Sequence, residues 1–111
     1  MSDDPVQRLR QLCGGPRDGA LLRFSLGHAL LAQGAAADAA LELRRAVEFN
    51  PEYSAAWKLL GRALVEAGDP VQAQRAWSDG IAAAGRAGDV QAQKEMRVFV
   101  KRLERKPGGN A

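Results

Sequence analysis

The sequence predicts an all-α chain of antiparallel helix-turn-helix repeats, about five to six helices in all. Three observations carry this. Alanine is abundant and strand formers are sparse. The chain resembles itself at a shift of 34 residues. The helix-length stretches are separated by short breaks of Gly, Asn, Asp and Pro, which force neighbouring helices to run antiparallel.

The first element is a short helix over Pro5 to Cys13, with Val6, Leu9 and Leu12 or Cys13 on one side. Gly14-Gly15-Pro16 breaks it, and "GGPRDGA" reads as a helix break because it has no Lys-Ser/Thr ending for a phosphate loop. Two repeats follow. The first helix of each runs over Gly19 to Gln33 and over Glu52 to Ala67. The second runs over Ala36 to Phe49 and over Pro70 to Ala84. Asn50-Pro51 and Asp69-Pro70 each read as an N-cap followed by proline at the first helical position, where its missing N–H costs nothing. Gly68 ends the preceding helix.

The shift of 34 lays Leu26 on Leu60, Gly27 on Gly61, Ala29 on Ala63, Leu30 on Leu64, Gly34 on Gly68 and Ala39 on Ala73. Leu43 falls on Trp77 and Ala46 on Gly80, large on large and small on small. This pattern resembles the tetratricopeptide repeat family, whose motif is W-x2-L-G-x2-Y, then A-x3-F, then P. The second unit has Trp57, Leu60, Gly61, Leu64, Ala73 and Trp77, with Gly85 in place of the closing Pro. The first has Leu26, Gly27, Leu30, Ala39, Leu43 and Pro51, with Arg23 in place of the Trp, so its first turn is expected to be less well anchored. Gly27 and Gly61 lie mid-helix, where Gly costs about 1 kcal/mol against Ala. A neighbouring helix packed directly on the backbone would explain both glycines. Trp57 and Trp77 are expected to fill gaps between helices.

The resemblance implies a small α-solenoid: N-terminal helix and linker over 1–18, repeats over 20–53 and 54–87, a capping helix or half repeat over 88–106, and a disordered tail over 107–111. In the last helix Asp89 is the expected N-cap, and Met96, Phe99, Val100 and Leu103 share a face. The helix leaves the 34-residue register. It also holds the charge. Residues 89–106 have six cations and three anions, which equals the whole chain's net +3. A basic stripe of Lys94, Arg97, Lys101 and Arg105 is an alternative contact for nucleic acid or an anionic membrane. A solvated cap is the favoured reading and nucleic acid the less favoured partner.

Catalysis finds no support. One His, one Cys and no paired carboxylates give no nucleophile, base and orienter, and no Cys/His group has metal spacing, so neither enzyme, cofactor nor metal is expected. Cys13 is alone, which fits a reducing, cytoplasmic setting, and no apolar run approaches a bilayer span. The family resemblance implies a peptide or partner helix bound in a concave groove lined by the first helices. Geometry places Leu21, Phe24, His28 and Leu31 there from the first unit, and Ala55, Lys58, Arg62 and Val65 from the second. Lys58 and Arg62 resemble half of the carboxylate clamp that chaperone-binding members use for acidic tails. His28 stands where that clamp has an asparagine and there is no third full repeat, so a complete clamp is not expected; an ordinary solvated face for Lys58 and Arg62 is the favoured reading, and a weaker acidic preference is the alternative. The expected partner is an unidentified protein or peptide, acidic or not, and the chain is expected to be a monomer or weak homodimer.

Overall fold

The computed structural model describes residues 4–105; the tail over 107–111 and Lys106 lie outside them. Six helices follow in order: α1 (Pro5–Arg10), α2 (Ala20–Ala32), α3 (Ala36–Phe49), α4 (Ser54–Glu66), α5 (Pro70–Ala87) and α6 (Val90–Arg105). No strand occurs among the described residues. Helices α2/α3 and α4/α5 form antiparallel pairs, α3 packs on α4, and α5 on α6. The Cα extents are 48 × 34 × 17 Å, so the molecule is a slab about two helices thick.

The ends of the helices follow from their termini. Gly34 and Gly68 have φ of +81° and +85°, which only Gly adopts without strain, and each lets the chain fold back over the last turn. The next residues donate to the helix: Ala35 N–H to the Leu30 carbonyl at 2.9 Å, and Asp69 N–H to that of Leu64 at 2.8 Å. Asp69 caps α5 by accepting from the Gln72 N–H at 3.1 Å, and Asp89 caps α6 by accepting from the Ala92 N–H at 3.0 Å. Asn50-Pro51 departs from the expected N-cap and first-turn proline. Asn50 ends α3, its Oδ1 accepts from the Glu52 N–H at 3.1 Å, and Pro51 sits in the resulting turn. Helix α4 therefore starts two residues later than Glu52. Helix α5 runs past Ala84 to Ala87 and ends at Gly88 rather than Gly85. Helix α1 stops at Arg10 and continues as turns through Cys13.

The core is continuous from Val6 through Leu26, Leu30, Leu43 and Val47 to Leu60 and Leu64. A second cluster joins Trp77, Ala84, Ala92 and Met96. The glycines do what their position implied. A Cβ on Gly27 would stand 2.5 Å from Leu43 Cγ, and one on Gly61 would fall inside the Trp77 indole. Trp77 is 6% exposed, and its indole N–H donates to the Lys58 carbonyl at 3.1 Å. Trp57 is half-buried, packs against both clusters and donates to the Pro51 carbonyl at 2.7 Å.

Arg23 corrects the expectation of a weakly anchored first turn. It is 8% exposed. Its Nε and Nη2 donate to the two Asp18 oxygens at 2.9 and 2.8 Å, and its Nη1 donates to Glu42 at 2.8 Å. Arg10 reaches the other Glu42 oxygen at 3.6 Å. An ion-pair network thus anchors α2 to α3 and to the preceding loop where a Trp would pack. The hydrogen bonds from Arg23 and from the Gly14 N–H hold the Asp18 carboxyl well below the usual carboxylate range.

Candidate peptide-binding groove

Helices α2, α4 and α6 stand side by side, and a hollow of about 620 Å³ opens along them. Phe24 and His28 of α2 line one wall. Ala55, Lys58, Leu59, Arg62, Val65 and Glu66 of α4 form the middle. Glu95, Phe99, Arg102 and Leu103 of α6 form the other wall, with Trp77 of α5 behind.

Phe24 is half-buried and lies 5.1 Å from the Tyr53 ring, with the exposed His28 ring 6.4 Å beyond. Burial pushes the Tyr53 hydroxyl's pKa up. On the far wall Phe99 lies 5.1 Å from Trp77. The hollow therefore has aromatic groups on both flanks and aliphatic ones between. Helix α1 packs on α2, with Arg10 reaching Glu42 of α3, and none of its residues lines the hollow, which it leaves open. Leu31 is not among the lining residues; it sits half-buried against the core, and Leu21 is 69% exposed outside the hollow.

The two cations of α4 are both engaged. Lys58 Nζ donates to Glu95 Oε1 at 2.7 Å, a bridge from α4 to α6 across the hollow. That contact holds the Glu95 carboxyl below its ordinary value. Arg62 pairs with Glu66 one turn on at 3.2 Å, yet its side chain stays 70% exposed. Arg102 is exposed and has no ion pair among the described residues. Three cations face two carboxylates, so the wall keeps a small positive excess. The excess sits at the Arg62 and Arg102 end, not at Lys58.

The α6 wall was missed in the sequence for a geometric reason. Helix α3 has 14 residues and α5 has 18, while the loop over 88–89 is two residues shorter than that over 50–53. Helix α6 is thus offset by 36 rather than 34. At that offset Ala56 falls on Ala92, Leu60 on Met96 and Leu64 on Val100, and the first two pairs are all 0–1% exposed. Helix α6 stands beside α4 as α4 stands beside α2. A smaller hollow of about 310 Å³ lies between α3, α4 and α5, where Arg44 donates to Gln72 at 3.2 Å.

No group of three or more His, Cys, Asp or Glu could hold a metal among the described residues. None of the described helices is long and apolar enough to cross a membrane.

A stack of paired helices with glycines under the crossing side chains, and an open hollow along the first helix of each pair, is the architecture of a helical-repeat solenoid. The tetratricopeptide repeat profile matches residues 30–94. The chain belongs to the tetratricopeptide repeat family, whose repeats generally mediate protein–protein interaction. It is 48% identical over 100 residues to the TPR repeat-containing protein PA0015 of Pseudomonas aeruginosa, covering 90% of this chain and 95% of that one. It is also similar to the solution structure of protein BPP2914 from Bordetella parapertussis, with a TM-score of 0.79 and 40% identity over 96% of this chain and 92% of that one.

Proposed function

We propose that the chain is a non-enzymatic cytoplasmic adaptor that takes a segment of a partner protein into the hollow between α2, α4 and α6. The observation that supports this best is the hollow itself: it is open, has aromatic side chains on both flanks, and lies along α6 and the first helices of both repeats. Apolar anchors from the partner would fill the space between Phe24 and Phe99, since buried aromatic and aliphatic anchors dominate interface energies. Lys58 is already paired with Glu95, so the acidic preference, where the partner has one, falls on Arg62 and Arg102.

The test is selection of peptides from a displayed library on the full chain, followed by direct binding to wild type and to a His28→Glu/Arg62→Glu variant. Both side chains are exposed, so the variant keeps its fold. Selected peptides are expected to carry apolar anchors with an acidic flank and to bind the variant at least about 10-fold more weakly, which corresponds to about 1.4 kcal/mol. Equal binding by both proteins would place the site elsewhere.

A further inference from the structure

The outer face of α6 is not used by the groove. Lys94, Arg97, Val98, Lys101 and Arg105 are exposed along it, and none of these cations has an ion pair among the described residues. The carboxylates of this segment are turned away from the stripe. Glu95 bridges to Lys58, Glu104 accepts from Gln74 at 3.1 Å, and Asp89 caps the helix. Anions are spent on neighbours, and cations are left facing solvent.

The 36-residue offset says what this face is not. Arg97 of α6 takes the place that Gly61 has in α4, where the next helix packs on bare backbone. A helix packed there as α5 packs on α4 would bury an arginine, so the stripe is not shaped for that packing. The apolar residues of α6, Ala92, Met96, Phe99 and Leu103, are packed against the body of the protein. Only Val90 and Val98 of its apolar residues are exposed, too little for an apolar face to lay into a bilayer.

We propose that this stripe binds the phosphodiester backbone of nucleic acid without sequence preference. The cations at 94, 97, 101 and 105 recur at three and four residues, steps of about 4.5 and 6 Å along the helix axis. The run of about 16.5 Å spans roughly five phosphates of one strand at about 3.4 Å of duplex axis each. A regular row of unpaired cations suits a polymer with regular charge.

The test is fluorescence anisotropy of the full chain with a labelled duplex and a labelled single strand of mixed sequence. Phosphatidylserine-rich vesicles serve as the membrane arm. Four neutralised phosphates give a log–log salt slope of about −3.6 for duplex and about −2.8 for single strand. Duplex affinity should then fall about 150-fold between about 50 and 200 mM salt. Lys94→Gln/Lys101→Gln should reduce the duplex slope to about −1.8, while Lys94→Arg/Lys101→Arg should keep it. The groove variant His28→Glu/Arg62→Glu should bind nucleic acid as wild type does. No binding at about 50 mM salt would overturn the proposal. So would binding indifferent to the Gln variant with its helical circular dichroism intact, or binding to vesicles alone.

Discussion

Gly61→Ala is the sharpest test of how the helices are joined. In an isolated helix interior the change would stabilise by about 1 kcal/mol, because Gly is the poorer helix former. Here the added Cβ would fall inside the Trp77 indole, which is held by its bond to the Lys58 carbonyl and by Phe99. The indole is 6% exposed, and displacing it toward the hollow that it backs would cost both of those contacts. Either α4 and α5 separate or the ring turns out of its slot. Overpacking of this kind costs about 1–3 kcal/mol, and loss of the indole hydrogen bond about 1 kcal/mol more. Against the helix gain, the net expectation is a loss of about 2 kcal/mol. With a urea dependence of about 1.5 kcal/mol/M, the unfolding midpoint followed by circular dichroism falls by roughly 1.3 M. Gly85→Ala is the control. Its Cβ would meet only the end of the Gln93 side chain, at 2.8 Å, which can swing aside by giving up its bond to the Ile81 carbonyl, so the midpoint should fall far less than in Gly61→Ala. A Gly61→Ala protein as stable as wild type would refute the claim that this glycine exists for the indole.

Other outcomes follow from the ion pairs. Arg23→Ala leaves the Asp18 and Glu42 carboxylates without their partner, and thermal unfolding should show a loss of about 2 kcal/mol. That is below the 3–5 kcal/mol of fully buried pairs, because both carboxylates keep some exposure. The folded Asp18 carboxyl lies below its unfolded value, so its contribution is full above about pH 4 and is lost as the pH falls further. Urea midpoints measured from pH 5 downward should therefore drop less steeply in Asp18→Asn than in wild type. Glu95→Gln breaks the bridge to Lys58. Both side chains are about a third exposed, so the thermal midpoint should barely move while peptide binding in the hollow rises for acidic peptides.

The repeats were legible because steric need leaves a mark in the sequence. A helix that must approach backbone demands Gly27 and Gly61, and a helix that must stop demands Gly34 and Gly68, so the 34-residue shift exposes all four. Phe24, His28, Lys58, Arg62 and Val65 were legible as one face for the same periodic reason, and the hollow gathers these five. Leu31, on the same face in projection, turns instead against the core. What was hidden has no period. The Arg23 network joins residues 5 and 19 apart, and Lys58–Glu95 joins residues 37 apart. Neither spacing is visible to a helical pattern. The α6 wall with Phe99 and Arg102 was hidden by four extra residues in α5 and a shorter loop, which moved it out of register. Asn50-Pro51 had the composition of an N-cap, but its side chain closed a local turn with Glu52 instead.

The most direct test of the groove is an amide chemical-shift titration of the ¹⁵N-labelled full chain with the tightest displayed peptide. The largest changes are expected on Phe24, His28, Leu59, Arg62 and Phe99, on three helices distant in sequence but joined by one hollow. Changes confined to Leu41, Arg44 and Gln72, with those five residues unmoved, would contradict it and place the binding surface on the α3/α5 side.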